Sequence, residues 1–221
     1  MKTLPKLYQS THTADLVVLI SDMLGELVGL NDCIPLSGAG LTRFHSRFAP
    51  PFLSLFPIFG TNRGGVDRAP PTISIADYLN RLSVHASLQP SILLSMVYYI
   101  DILSTHYPPF VVSSLTVHRF LITAATVASK GLCDTFLTNS LYARVGGLSL
   151  MELNMLELEF LVRVGWRIVP KAEVLEEYYR SLVQRMRGRY RVEDDDMGLT
   201  APEGSGGGGR GGKAKVGGDA G

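Results

Sequence analysis

The sequence predicts an all-α fold. Three observations carry this: apolar residues recur at three- and four-residue spacing in seven separate segments, Ser, Pro and Gly stand at segment ends, and strand signals are weak. The first segment runs from Asp15 to Leu30, with Leu16, Leu19, Ile20, Met23, Leu27 and Leu30 on one stripe, and stops before Asn31-Asp32. It is expected to pack on the main domain. Further helices are expected near Ser74–Ser87, Ser91–Ser104, Ser113–Ser129, Asn139–Val145, Leu150–Val164 and Lys171–Arg187. Pro90 suits a helix start, and Pro108-Pro109 bars continuation of that helix.

The stretch from Val117 to Trp166 is the most informative. Leu115, Phe120, Leu121, Ala124, Ala125 and Ala128 recur at helical spacing, and the small residues among them allow close helix approach. Gly131 is expected to stop that helix. After the Gly146-Gly147 break, Ser149 with Glu152 three residues on reads as a capping box. Leu150, Leu153, Leu156, Phe160, Leu161 and Val164 then form a buried stripe, with Glu157 at its edge. A carboxylate there needs a partner or a solvent-facing groove, and Lys130 on the preceding helix can supply the partner. From the residues alone two readings stand: a recognition pair, or an ordinary surface ion pair worth at most about 1 kcal/mol.

Composition narrows the function. The chain has 221 residues with 46% hydrophobic content, enough for one domain with a real core. Its formal net charge is +1 and no basic stripe interleaves with aromatics, which argues against nucleic acid as the main partner. Cys33 and Cys133 lie far apart and outside any CxxC or Cys/His cluster, so neither a zinc site nor a disulfide framework is indicated, and a reducing intracellular setting is expected. No charged-then-apolar leader opens the sequence, and no segment reaches 18 uninterrupted apolar residues. His12, His45, His85, His106 and His118 lack mutual metal-ligand spacing. No nucleophile elbow is present, and Gly206 to Gly209 precedes neither a helix nor a Lys-Ser/Thr pair. Neither metal, cofactor nor catalytic group is therefore expected. Met96, Tyr98 and Tyr99 read as core and groove packing, and Trp166 as a plug at the end of its helix. The run from Pro50 to Pro71, apolar and Pro-rich and then polar and Gly-rich, reads as a loop or insertion, an unspliced intron being one source. After Glu193 the acidic and Gly-rich composition predicts disorder.

The residues also carry a family resemblance. Leu88-Gln89, Tyr99-Ile100-Asp101, Ala128-Ser129-Lys130, Leu156-Glu157 and Val164-Gly165-Trp166 match in order and spacing the landmarks of a cyclin box, a five-helix module that binds cyclin-dependent kinases. Phe44-His45-Ser46-Arg47, Ile73-Ser74-Ile75, Tyr78-Leu79, Arg81-Leu82, His118-Arg119-Phe120, Lys130 through Asp134, Tyr142-Ala143, Gly146-Gly147 and Glu152-Leu153-Asn154 resemble the fungal PHO-type cyclins of phosphate signalling, including the PREG-like regulators. The resemblance spans roughly residues 41 to 182.

It implies a single five-helix box with flanking N- and C-terminal helices. The division expected is an N-terminal helical extension over 1–40, a loop or insertion over 41–72, the box over 73–168, a C-terminal helix over 169–190 and a disordered tail over 191–221. It further implies a regulatory, non-catalytic subunit that binds and activates a PHO-type cyclin-dependent kinase, with Lys130 and Glu157 facing the kinase and Asp134 a third contact. A kinase inhibitor and transcription-factor substrates are implied as further partners, and a nuclear and cytoplasmic location is expected. The Met-Arg-Ala-Ile-Leu string that builds the substrate patch of cell-cycle cyclins is absent, Thr72 to Ala76 standing in its place, so docking of Arg-x-Leu substrates is not implied. The arginine that would pair with Asp101 is missing too, leaving Arg81 or solvent as its partner. Two other classes compete: a cyclin-fold transcription factor, which would need a basic face and a tandem second fold, and a helical scaffold without a kinase.

Overall fold

The computed structural model describes residues 1–33, 70–107, 110–186 and 188–193. Among them are seven α-helices: α1 (Thr13–Asp32), α2 (Ile75–His85), α3 (Pro90–His106), α4 (Val117–Leu132), α5 (Asn139–Gly146), α6 (Leu150–Arg163) and α7 (Ala172–Arg185). The expected Phe44-His45-Ser46-Arg47 match, the insertion up to residue 69, Pro108-Pro109 and the tail from residue 194 lie outside the described residues.

Local chemistry sets the helix starts. Ser74 accepts a hydrogen bond from the Asp77 N–H at 3.0 Å, and Ser149 accepts one from the Glu152 N–H at 3.1 Å, each satisfying a donor that the first turn leaves without a partner. Pro90 begins α3, where its missing N–H costs nothing. Helix α4 starts four residues later than the apolar pattern suggests. Thr116 takes the Ser113 N–H at 2.9 Å and donates to the Val111 carbonyl at 2.8 Å, so side-chain bonds hold this stretch as a turn instead.

Helix α4 is the axis of the fold. Nearly every residue from Phe120 to Ser129 is buried, the mark of a helix surrounded on all sides, and Ala124, Ala125 and Ala128 let its neighbours come close. Its Thr123 and Thr126 hydroxyls donate to the Arg119 and Ile122 carbonyls four residues back, so neither of these two buried hydroxyls is stranded. Helices α2, α3, α5 and α6 all pack on it, while α1 covers α2 and α3, and α7 lies across α3. At the centre, the Phe160 ring sits edge-on to Tyr99 with centroids 5.2 Å apart and tilted to Phe120 at 6.3 Å.

Gly131 does not end α4, which continues to Leu132 with Cys133 as its cap. Its role is close packing: a Cβ there would lie 3.1 Å from Ile168 Cδ1. Gly147, at φ 74°, is the glycine that does close a helix, α5. Gly146 is the tightest position. A Cβ would stand 2.6 Å from Ile122 Cγ1, and its carbonyl accepts from the Tyr78 hydroxyl at 3.0 Å. Gly146→Ala should therefore cost about 1 to 3 kcal/mol by overpacking, whereas Gly25→Ala, on the open face of α1, should add about 0.5 to 1 kcal/mol. Denaturant unfolding of the two variants checks both signs.

A feature absent from the sequence reading ties the segment before α1 to the segment after α7. Lys2–Leu4 (β1) pairs in parallel with Tyr190–Val192 (β2), Leu4 opposite Val192, so Arg191 and Val192 belong to the folded body and not to the tail. Leu4, Tyr8 and Thr11 are buried, and the turn at Tyr8–Ser10 packs on both α3 and α7. Thr11 donates to the Tyr179 hydroxyl at 3.0 Å, which donates in turn to the Pro5 carbonyl at 2.7 Å.

Candidate functional site

The ends of α4 and the middle of α6 meet through charge. Lys130 Nζ donates to Glu157 Oε1 at 2.5 Å, and the two side chains are 29% and 14% exposed. The second carboxylate oxygen of Glu157 accepts from Asn139 Nδ2 at 2.7 Å, and the same amide nitrogen donates to Asn154 Oδ1 at 2.7 Å. Three helices thus converge on one carboxylate. Asn139 opens α5, so the positive end of that short helix also lies near Glu157. A second ion pair, Arg119 to Glu152 at 2.8 Å, ties α4 to α6 near the start of each helix.

Beside this network α6 exposes an apolar face. Leu150, Met151, Asn154, Met155 and Leu158 line a shallow groove, in which Asn154 is both a wall and a member of the polar network. Met151 is 73% exposed and Leu158 42%, and the row continues to Val162. A run of exposed large apolar side chains on one helix, flanked by a half-buried ion pair, is the surface chemistry of a protein interface. Leu150, expected in the buried stripe, belongs to this outer face, while Glu159, outside the expected stripe, is buried.

Trp166 departs from its expected role as a plug. It is 63% exposed, and Gly165 and Trp166 both adopt left-handed backbone, at φ 62° and 61°. The Trp166 N–H donates to the Leu161 carbonyl at 2.9 Å, which closes α6 and turns the indole outward, while Val164 fills the core. A large side chain in this backbone region is uncommon and held by its surroundings. Two later contacts hold it: Tyr99 donates to the Ile168 carbonyl at 2.6 Å, and Ile168 packs on Gly131. The turn therefore stands beside the end of α4 that bears Lys130. Asp134 is exposed in the loop that follows α4, with Phe136, 52% exposed, two residues on.

Asp101 and Arg81 are not brought together. Arg81 is exposed on α2, and Asp101 accepts a hydrogen bond from the Tyr178 hydroxyl, which couples α3 to α7. Burial, and then that bond, hold the Tyr178 phenol above its ordinary pKa. Sequence reasoning also passed over Glu159, 3% exposed and paired with Arg163 one turn on, whose guanidinium lies 3.6 Å from the centre of the Tyr107 ring. The i,i+4 spacing of Glu159 and Arg163 was the available signal. Among the described residues no three His, Cys, Asp or Glu side chains are grouped to hold a metal ion, and no helix is long and apolar enough to cross a membrane.

The family model described as cyclin matches residues 15–168. Over 190 residues the chain is 53% identical to the Nuc-1 negative regulatory protein preg of Neurospora crassa, covering 85% of this chain and 35% of that protein. It is 44% identical over 172 residues to the PHO85 cyclin PHO80 of Saccharomyces cerevisiae, covering 76% of this chain and 52% of that one. Similarity extends to plants: Cyclin-U4-1 of Arabidopsis thaliana is 37% identical over 116 residues, 52% of this chain and 57% of the relative. The chain thus spans between about a third and three-fifths of the length of these relatives.

Proposed function

Because the chain belongs to the cyclin family, we propose that it is the regulatory subunit of a PHO-type cyclin-dependent protein kinase, which it binds and activates in phosphate and nutrient signalling. The observation that carries this is the Lys130–Glu157 pair set against the exposed apolar face of α6. Such a face needs a partner with an apolar helix of its own, and the half-buried pair fixes how that partner is seated. In a protein kinase the mobile element of this description is the helix whose glutamate must pair with the ATP-binding lysine. Held inward by the α6 face, that helix keeps the kinase's own Lys-Glu pair assembled, and phosphoryl transfer follows on the kinase. Lys130 and Glu157 are the central contacts. Asp134 contacts the kinase away from its helix, and Trp166 extends the apolar surface at the far end. The cyclin itself is not an enzyme. A kinase inhibitor and transcription-factor substrates complete the set of partners, and the complex acts in nucleus and cytoplasm.

The test is a kinase assay with purified components. The protein alone is expected to transfer no phosphate, and its addition to a PHO85-type kinase is expected to raise turnover. Unchanged turnover in the presence of demonstrated binding would remove the activator role.

A further inference from the structure

We infer that Asn139 is the positioning residue of the docking pair: it holds the Glu157 carboxylate in place while Lys130 is drawn toward the partner. The inference rests on the docking role proposed above for Lys130 and Glu157. Lys130 is the more exposed of the two, 29% against 14%, and its flexible stem allows the ammonium to turn outward. Leaving would strand a carboxylate that is mostly buried unless a second donor stays on it. Asn139 is that donor, on the oxygen Lys130 does not use.

The geometry fixes the amide in one orientation. Nδ2 donates at 2.7 Å to Glu157 Oε2 and at 2.7 Å to Asn154 Oδ1, both acceptors, so a flipped amide would set oxygen against oxygen twice. In the observed orientation Asn139 Oδ1 is buried with no donor. A position serving only to start α5 has no need for this arrangement. The side chain forgoes one hydrogen bond to direct both of its N–H groups at the α6 side of the network. A neutral donor also suits the hand-over. It satisfies the carboxylate without cancelling its charge, so Glu157 remains an acceptor for the partner's backbone N–H groups after Lys130 has moved.

Calorimetric affinity for a recombinant PHO85-type kinase tests this with Asn139→Ala, Asn139→Asp, Glu157→Ala and the double variant Asn139→Ala/Glu157→Ala. Asn139→Ala should weaken binding about tenfold. Asn139→Asp, which sets a second carboxylate against Glu157, should weaken it further. In the Glu157→Ala background the Asn139→Ala change should cost less than about twofold, because the residue it positions is gone. Melting temperatures record whether each variant folds, and the near-isosteric Asp variant carries the test should the Ala variant unfold. Parental affinity in both single Asn139 variants would overturn the inference. So would a full tenfold loss persisting without Glu157, since Asn139 would then touch the partner itself. A parent protein that binds no kinase would remove the docking role, and this inference with it, before any variant is compared.

Discussion

Lys130→Glu should weaken binding of the kinase by about 2 to 5 kcal/mol, roughly 30- to 4,000-fold, because it leaves partner groups desolvated and unpaired in the interface. Glu157→Lys should do the same. Each single reversal also sets like charges side by side, at a cost in folding stability of about 1 to 2 kcal/mol, since both side chains are partly solvated. The double reversal separates the two effects. Lys130→Glu with Glu157→Lys restores an internal ion pair, so stability should return toward the parent while kinase binding stays weak. Calorimetry for binding and denaturant unfolding for stability, run on all three variants, decide the matter. Recovery of binding in the double variant would show that the pair is purely internal and faces no partner.

Phe160→Ala should have the opposite profile. Its ring is fully buried between Tyr99 and Phe120, so truncation opens a cavity at the crossing of α3, α4 and α6 and should remove about 3 to 5 kcal/mol of stability. Leu156→Ala, also fully buried, should lose about 2 to 5 kcal/mol. Two residues away, on the opposite face of α6, Leu158→Ala should leave stability within about 0.5 kcal/mol, since 42% of that residue is already in water. Denaturant midpoints at constant slope measure all three. A Leu158 variant as unstable as the Phe160 variant would mean that the outer face of α6 is part of the core.

These contrasts lie within a single helix, and the sequence disclosed them unevenly. All seven helices were legible because each combines an apolar period with end signals: the Ser74 and Ser149 caps and Pro90 act locally, within one turn, and local chemistry is what a sequence records. The Lys130–Glu157 contact was legible for a related reason, since a carboxylate at the edge of an apolar stripe demands a partner. Partners chosen by tertiary approach were not. Tyr178 reaches Asp101 only because α7 crosses α3, and Asn139 reaches Glu157 only because α5 starts against α6. Trp166 is apolar by composition, yet two consecutive left-handed residues turn it outward, and no periodicity reports a backbone sign. The strands of three residues each are too short to show a period of two.

The pairing of β1 with β2 has a consequence for synthesis. Leu4 and Thr11 are made well before β2 and α7, on which they close; Thr11 and its partner Tyr179 are separated by 168 residues. At ribosomal rates of roughly 5 to 20 residues per second, that interval is on the order of ten seconds or more. Through it the helices between can form and pack in sequence order, while the N-terminal strand has nothing of its own to close on. The clasp is therefore a late contact, completed only once Tyr190–Val192 has been made, and a chain that stops short of Tyr190 never completes it.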